Sequence, residues 1–166
     1  MRSLLSHLMK FGREERGAVL VEMTLITPLM IVLSAGVFEF GNLIHQKLLI
    51  EAGLRDAARY AARCTDAVTG VDCLANARNI AVFGSVAGTT ARVSGWDDAD
   101  VVITTYETDN NVDPDTGLQD YRGTDAEVVT IRATTSIPYA AVGLLAVIGI
   151  DGITLNATHE ERFIGY

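Results

Sequence analysis

The sequence predicts an α+β protein: a long N-terminal transmembrane helix continuing into a small extracytoplasmic domain, which holds a short helix and a roughly three-stranded antiparallel sheet. Three observations carry this reading. From Ala18 to Phe40 the only charged side chains are Glu22 and Glu39. Apolar residues then recur at helical spacing as far as Arg63. Beyond Cys64 the pattern changes to short alternating stretches in a polar, acidic background, which suits a small sheet packed on helices.

The first element is the anchor. As an α-helix, Ala18–Phe40 spans roughly 34 Å at about 1.5 Å per residue, enough to cross a hydrocarbon core of about 30 Å. Arg2, Lys10, Arg13 and Arg16 precede it, with Glu14 and Glu15. Short basic flanks stay cytoplasmic, so the N-terminus belongs inside and the remaining chain outside. Pro28 would cost roughly 3 kcal/mol inside a soluble helix, but a membrane helix accommodates it with a kink. A removable secretory signal, cut after Gly36 with Ser34 three residues before the cut, is the competing reading. Glu22 and Pro28 weigh against it, because they interrupt what should be an unbroken apolar core.

Composition narrows the function. The chain has 166 residues, room for one modest domain and one anchor. Residues 65–166 carry five arginines, no lysine and fifteen acidic residues, a net charge of −10. A surface like that has no footprint for nucleic acid, which needs a basic face. Its plainest meaning is a solvated exterior. No catalytic set emerges either. His7, His45 and His159 are dispersed, no serine sits in a nucleophile elbow, and no glycine loop precedes a phosphate-binding helix. No cofactor and no metal are implied. The bunched Asp97, Asp98 and Asp100 read as solvated surface.

Glu22 is the informative residue of the anchor. A carboxylate at the centre of a membrane helix costs on the order of 2.5–3.5 kcal/mol by insertion scales, and less near the edge. The bland reading has Glu22 reaching back to headgroup level and Arg16. The sharper reading notes Arg16-Gly17-Ala18 just before it. Cleavage after Gly17 would make Ala18 the first residue, with Glu22 four positions on. The carboxylate of one subunit could then neutralise the α-amine of the next.

The run Arg16-Gly17-Ala18-Val19-Leu20-Val21-Glu22, followed by Leu25-Ile26-Thr27-Pro28-Leu29-Met30 and Gly36-Val37-Phe38-Glu39-Phe40-Gly41, resembles the TadE-like family. The alanine-rich stretch Ala52-Gly53-Leu54-Arg55-Asp56-Ala57-Ala58-Arg59-Tyr60-Ala61-Ala62-Arg63 is similar to the family's Arg-Asp-Ala-Ala-Arg segment. Thr27 stands where leucine is common before the proline. The likeness covers residues 13–63 well and the remainder only in general layout. These are minor pilins, or pseudopilins, of the bacterial tight-adherence (Flp-type) pilus. The resemblance implies residues 1–17 as a cytoplasmic leader, 18–63 as the transmembrane and extended helix, and 64–166 as the extracytoplasmic domain. It implies an inner-membrane location, cleavage by a prepilin peptidase between Gly17 and Ala18, and partners among membrane lipid and the major and minor pilins. It leaves open whether Ala18 is N-methylated.

Above the membrane, Leu43, Ile50, Leu54, Ala57 and Ala61 form one narrow stripe of the helix. The stripe packs either the chain's own domain or neighbouring subunits, and both can hold at different heights. Lys47, Glu51, Arg55 and Arg59 lie on the adjoining face, with Glu51 to Arg55 the favourable orientation for a pair worth about 0.2–0.5 kcal/mol. Cys64 and Cys73, the only two cysteines, read as a structural disulfide in an oxidising compartment. Zinc would need two more ligands, and redox chemistry favours a C-x-x-C spacing.

In the domain, Asp72 can N-cap a helix through about Phe83, with Leu74, Ala77 and Ala81 on one side and Gly84 ending it. Gly84–Gly95 reads as a loop or an irregular edge. Strands follow at Val101–Tyr106, at Ala126–Thr135 with Val129, Ile131 and Ala133 on one face, and at Ile153–Thr158 with Ile153, Leu155 and Ala157 inward. The oxygen-rich stretch Asp109–Gly117 has calcium-like composition, but it lacks EF-hand spacing and reads as a solvated turn. Ala140–Ile150 is apolar yet too short to span a bilayer as a helix. It suits a core segment, or a surface touching the membrane or a partner. Two function classes remain. One is a structural assembly protein, a processed pseudopilin. The other is an uncleaved single-pass anchor carrying a periplasmic binding module or enzyme.

Overall fold

The computed structural model describes residues 15–65, 72–123, 125–139, 149 and 152–164. Most of the leader and nearly all of the apolar segment Ala140–Ile150 lie outside them.

Helix α1 runs unbroken over Glu15–Ala61, 47 residues, or about 70 Å at 1.5 Å per residue. It is long and apolar enough to cross a membrane. Pro28 sits inside it, so the carbonyl of Thr24 loses its usual donor four residues on. In the same turns Thr24 and Thr27 donate their hydroxyls to the carbonyls of Leu20 and Met23, at 2.7 and 2.6 Å. Threonine can turn inward this way where the alternative is an unsatisfied hydroxyl among lipid tails.

The two halves of α1 differ. From Val19 to Leu33, and again at Val37, Phe38 and Phe40, the large side chains are exposed. Above Phe40 one stripe goes under: Leu43 is partly buried, and Ile50, Leu54, Ala57 and Ala61 are buried in the core. This stripe packs the chain's own domain. Alanine there brings the next backbone close, and α1 touches α2 and the sheet along it.

Helix α2 covers Cys73–Phe83. Asp72 caps its start, accepting from the Ala75 N–H at 2.9 Å, and Gly84 ends it in the left-handed region at φ 77°. Both ends follow the sequence reading. Its buried face is Cys73, Ala77, Ala81 and Val82. Leu74, expected on that face, is 39 % exposed; Cys73, tied to Cys64, and Val82 fill the space instead. The disulfide Cys64–Cys73 spans a Cα–Cα distance of 5.8 Å and staples the start of α2 to the top of α1.

Three strands follow, β1 (Val101–Asp109), β2 (Glu127–Pro138) and β3 (Thr154–Arg162), in the order β1-β2-β3 and antiparallel throughout. Each is longer than its alternating stretch suggested. In β1 pairing continues where burial stops, every side chain from Thr104 to Asp109 being exposed, whereas β2 gains the buried Ile137 at its far end. The inner face holds Ile103, Ile131, Ala133, Leu155 and Ala157, with Ile153 partly buried against them. Val129 is only half-buried, since it lies where the sheet rises past the core.

Trp96 is buried between the layers. Its indole Nε1–H donates to Thr135 Oγ1 at 3.1 Å, and Thr135 donates in turn to the Asp100 carbonyl at 2.9 Å. A Cβ on Gly53 would stand 2.4 Å from the Ala81 carbonyl oxygen and 2.8 Å from the Trp96 ring. Only glycine lets α1, α2 and the indole meet at that point.

Candidate assembly surfaces

Gly17 and Ala18 lie in the first turns of α1 and are exposed, and Glu22 is exposed one turn further on. The structure thus sets Gly17, Ala18 and Glu22 on one bare apolar rod. Burial begins at Glu39, which is fully enclosed. The Tyr139 hydroxyl donates to the Glu39 backbone carbonyl at 3.1 Å and accepts from Asn42 Nδ2 at 2.9 Å. Burial pushes the Tyr139 phenol above its ordinary value, while the Asn42 donation pulls the other way. The node pins the base of the domain to α1 at the last residues of the apolar span. Sequence reading picked out Glu39 as a charge in that span but missed Asn42 and Tyr139. Nothing local announces a contact between residues 97 positions apart.

Higher on α1, Glu51 pairs with Lys47 at 3.4 Å rather than with Arg55. Lys47 also donates to the Asn156 carbonyl on β3, which holds it within reach of Glu51. Arg59 pairs with Glu161 of β3 at 3.4 Å. Such exposed pairs contribute about 0–1 kcal/mol each. Arg59, Tyr60, Arg63 and Cys64 line an open depression of about 420 Å³ at the top of the helix.

The acidic stretches have local uses. Asp97 accepts from the Asp98 N–H at 2.7 Å and its own N–H donates to Asp100 Oδ2 at 2.9 Å, a reciprocal cap on the 3-10 turn Asp98–Asp100. A hydrogen bond shared between the Asp97 and Asp98 side chains holds the Asp97 carboxyl low and pushes Asp98 up. Asp113 Oδ1 accepts from the N–H groups of Asp115 and Thr116, at 2.8 and 3.1 Å. These bonds keep its carboxyl below the ordinary value and close a tight turn, joined at its base by a bridge between Val112 and Gln119. Among the described residues, no group of three His, Cys, Asp or Glu side chains is placed to hold a metal ion.

Residues 17–59 match the family model described as TadE-like protein. That segment is the bare rod and the domain-bearing half of α1, and it carries the motifs quoted above, so the resemblance holds there. The match covers 43 of the 166 residues and suggests a protein related to the tight-adherence pilus. No curated protein and no solved structure matches the chain.

Proposed function

We propose that this chain is a structural minor pilin, or pseudopilin, of a tight-adherence pilus, cleaved by a prepilin peptidase between Gly17 and Ala18. Its N-terminus faces the cytoplasm, residues 18–63 anchor it in the bacterial inner membrane, and residues 64–166 stand on the periplasmic side. The observation that carries the reading is the match of residues 17–59 to the TadE-like family on a helix that is bare below Glu39 and clothed by its own domain above. A helix of that kind is suited to lie first among lipids and then among the helices of other pilins. Glu22 is the charge that sets register, by meeting the α-amine of a neighbouring subunit. The disulfide fits an oxidising compartment.

N-terminal sequencing and intact mass of protein extracted from membranes test the processing step. A mature chain beginning at Ala18 is the expected result. Retention of Met1, or a start at Val37, would overturn it, the first favouring an uncleaved anchor and the second a secretory signal.

A further inference from the structure

We infer that the tip of the domain docks into the arginine-rimmed depression at the top of α1 of a second copy, head to tail along the helix axis. The tip is the end of the sheet that outruns α1. Between Glu107 and Glu127 it displays seven carboxylates and one arginine, Arg122, all exposed. Among them stand Val112, Leu118 and Tyr121, with Leu118 69 % exposed next to the Asp113 turn. An apolar knob inside a charged ring is how a small docking surface is built: the apolar centre loses water and the rim sets orientation. The depression is its complement. Arg59 and Arg63 rim it, Tyr60 and Cys64 complete its lining, and Arg55 lies one turn below on the same exposed face. Arg59 shares its charge with Glu161; the nearest other acid on that helix, Asp56, is held by Arg92 at 2.8 Å.

A chain cannot satisfy itself this way. Arg59 meets the sheet at Glu161, which pairs with Ile131. The rung Asp109–Glu127 lies four residues further along β2, about 13 Å at 3.3 Å per residue, and the Asp113 turn lies beyond that again. A parallel copy shifted down the axis by roughly 20–25 Å brings its Leu118 level with Arg59. The same contact repeats without closing, so it builds a filament rather than a dimer. This rests on the assembly role proposed above, but cleavage at Gly17 is read separately, so either can fail alone.

The test uses two full-length copies with different tags, co-expressed and extracted in mild detergent. Wild-type copies should co-purify at about 50 mM salt and lose at least about five-fold at 500 mM. Arg55→Glu with Arg59→Glu and Arg63→Glu should abolish the association, and so should Asp109→Lys with Asp115→Lys and Asp120→Lys, when either set is present in both copies. A copy with the reversed face and a copy with the reversed tip should restore it. Emission of Trp96, the only tryptophan, reports whether the arginine set folds. If that set does not fold, the exposed single change Leu118→Asp decides, with a loss of at least about five-fold expected. Association untouched by tip variants, absent between wild-type copies, or not restored by the folded reversed pair would overturn the proposal.

Discussion

The hydroxyl of Tyr139 stands 3.1 Å from the backbone carbonyl oxygen of Glu39, a hundred residues earlier in the chain. Together with the Asn42 amide it forms the lowest described tie between domain and helix. Tyr139→Phe keeps the ring and removes a donor and an acceptor at once. The loss should be about 1–2 kcal/mol, one hydrogen bond plus an amide left short of its acceptor. Denaturation of the full chain in detergent, followed by Trp96 emission, checks it. An unchanged midpoint would mean that the node does not hold the domain base.

Gly53 should tolerate nothing larger. Its Cβ would strike a backbone oxygen on α2, which cannot swing aside as a side chain can. Gly53→Ala gains helix propensity of up to about 1 kcal/mol, and overpacking a tight contact costs about 1–3 kcal/mol. A net loss with red-shifted Trp96 emission is expected. Gly41→Ala, where a Cβ meets nothing within 4 Å, is the control and should not lower stability.

The helices were the most legible part of the sequence. Asp72 and Gly84 mark the ends of α2 because capping is chemistry confined to one turn. The Ile50-Leu54-Ala57-Ala61 stripe was visible because helical periodicity is local. The sheet was legible only where one face is buried. Strand alternation follows burial, and β1 pairs for six residues beyond the core with no burial to imprint a pattern. Trp96, Tyr139 and the Arg59–Glu161 pair were not legible, since each depends on which distant residue the topology delivers. Lys47 competed with Arg55 for Glu51 for the same reason: its other contact lies on β3. The bare apolar rod and the exposed Glu22 on it were plain in sequence, while the depression beside Cys64 was not.

Reduction should loosen the top of the domain. In the chain-entropy model, whose mechanism is disputed, closing a ten-residue loop contributes roughly 2.5–3 kcal/mol. Peptide mapping without reductant should recover Cys64 linked to Cys73, and reductant should lower the unfolding midpoint. Two freely alkylatable thiols in protein isolated without reductant would count against both the bridge and the periplasmic placement.

The tip turn should be acid-labile. Asp113 is held below its ordinary value by the backbone N–H groups of Asp115 and then Thr116. A carboxyl depressed on folding stabilises the fold above its unfolded value of about 3.9, and that contribution fades as pH falls through the lower folded value. Amide exchange at Asp115 and Thr116 should therefore quicken as pH falls below about 4, after correction for intrinsic rates. Asp113→Asn should remove the pH dependence. Equal protection at all pH values in the native chain would exclude the carboxylate as the fastener.

Glu22 carries the most mechanistic expectation. After cleavage at Gly17, the Ala18 amine and the Glu22 carboxylate of one chain lie about 6 Å apart along the axis, at 1.5 Å per residue. Between neighbouring chains, opposite unit charges 4 Å apart attract by about 4 kcal/mol at an effective dielectric of 20, before desolvation reduces it. That is enough to choose one axial register over others, because a shifted neighbour leaves a carboxylate in the apolar layer without its counter-charge. Glu22→Gln should keep cleavage and insertion largely intact while lowering co-purification with other pilins and the number of surface fibres. Glu22→Leu should insert more readily, since the penalty for a buried charge is gone, yet assemble no better. A carboxylate that merely reaches headgroup level would leave both variants assembling normally. Crosslinking to pilus partners and counting fibres separate these outcomes, and wild-type levels in both variants would end the register role.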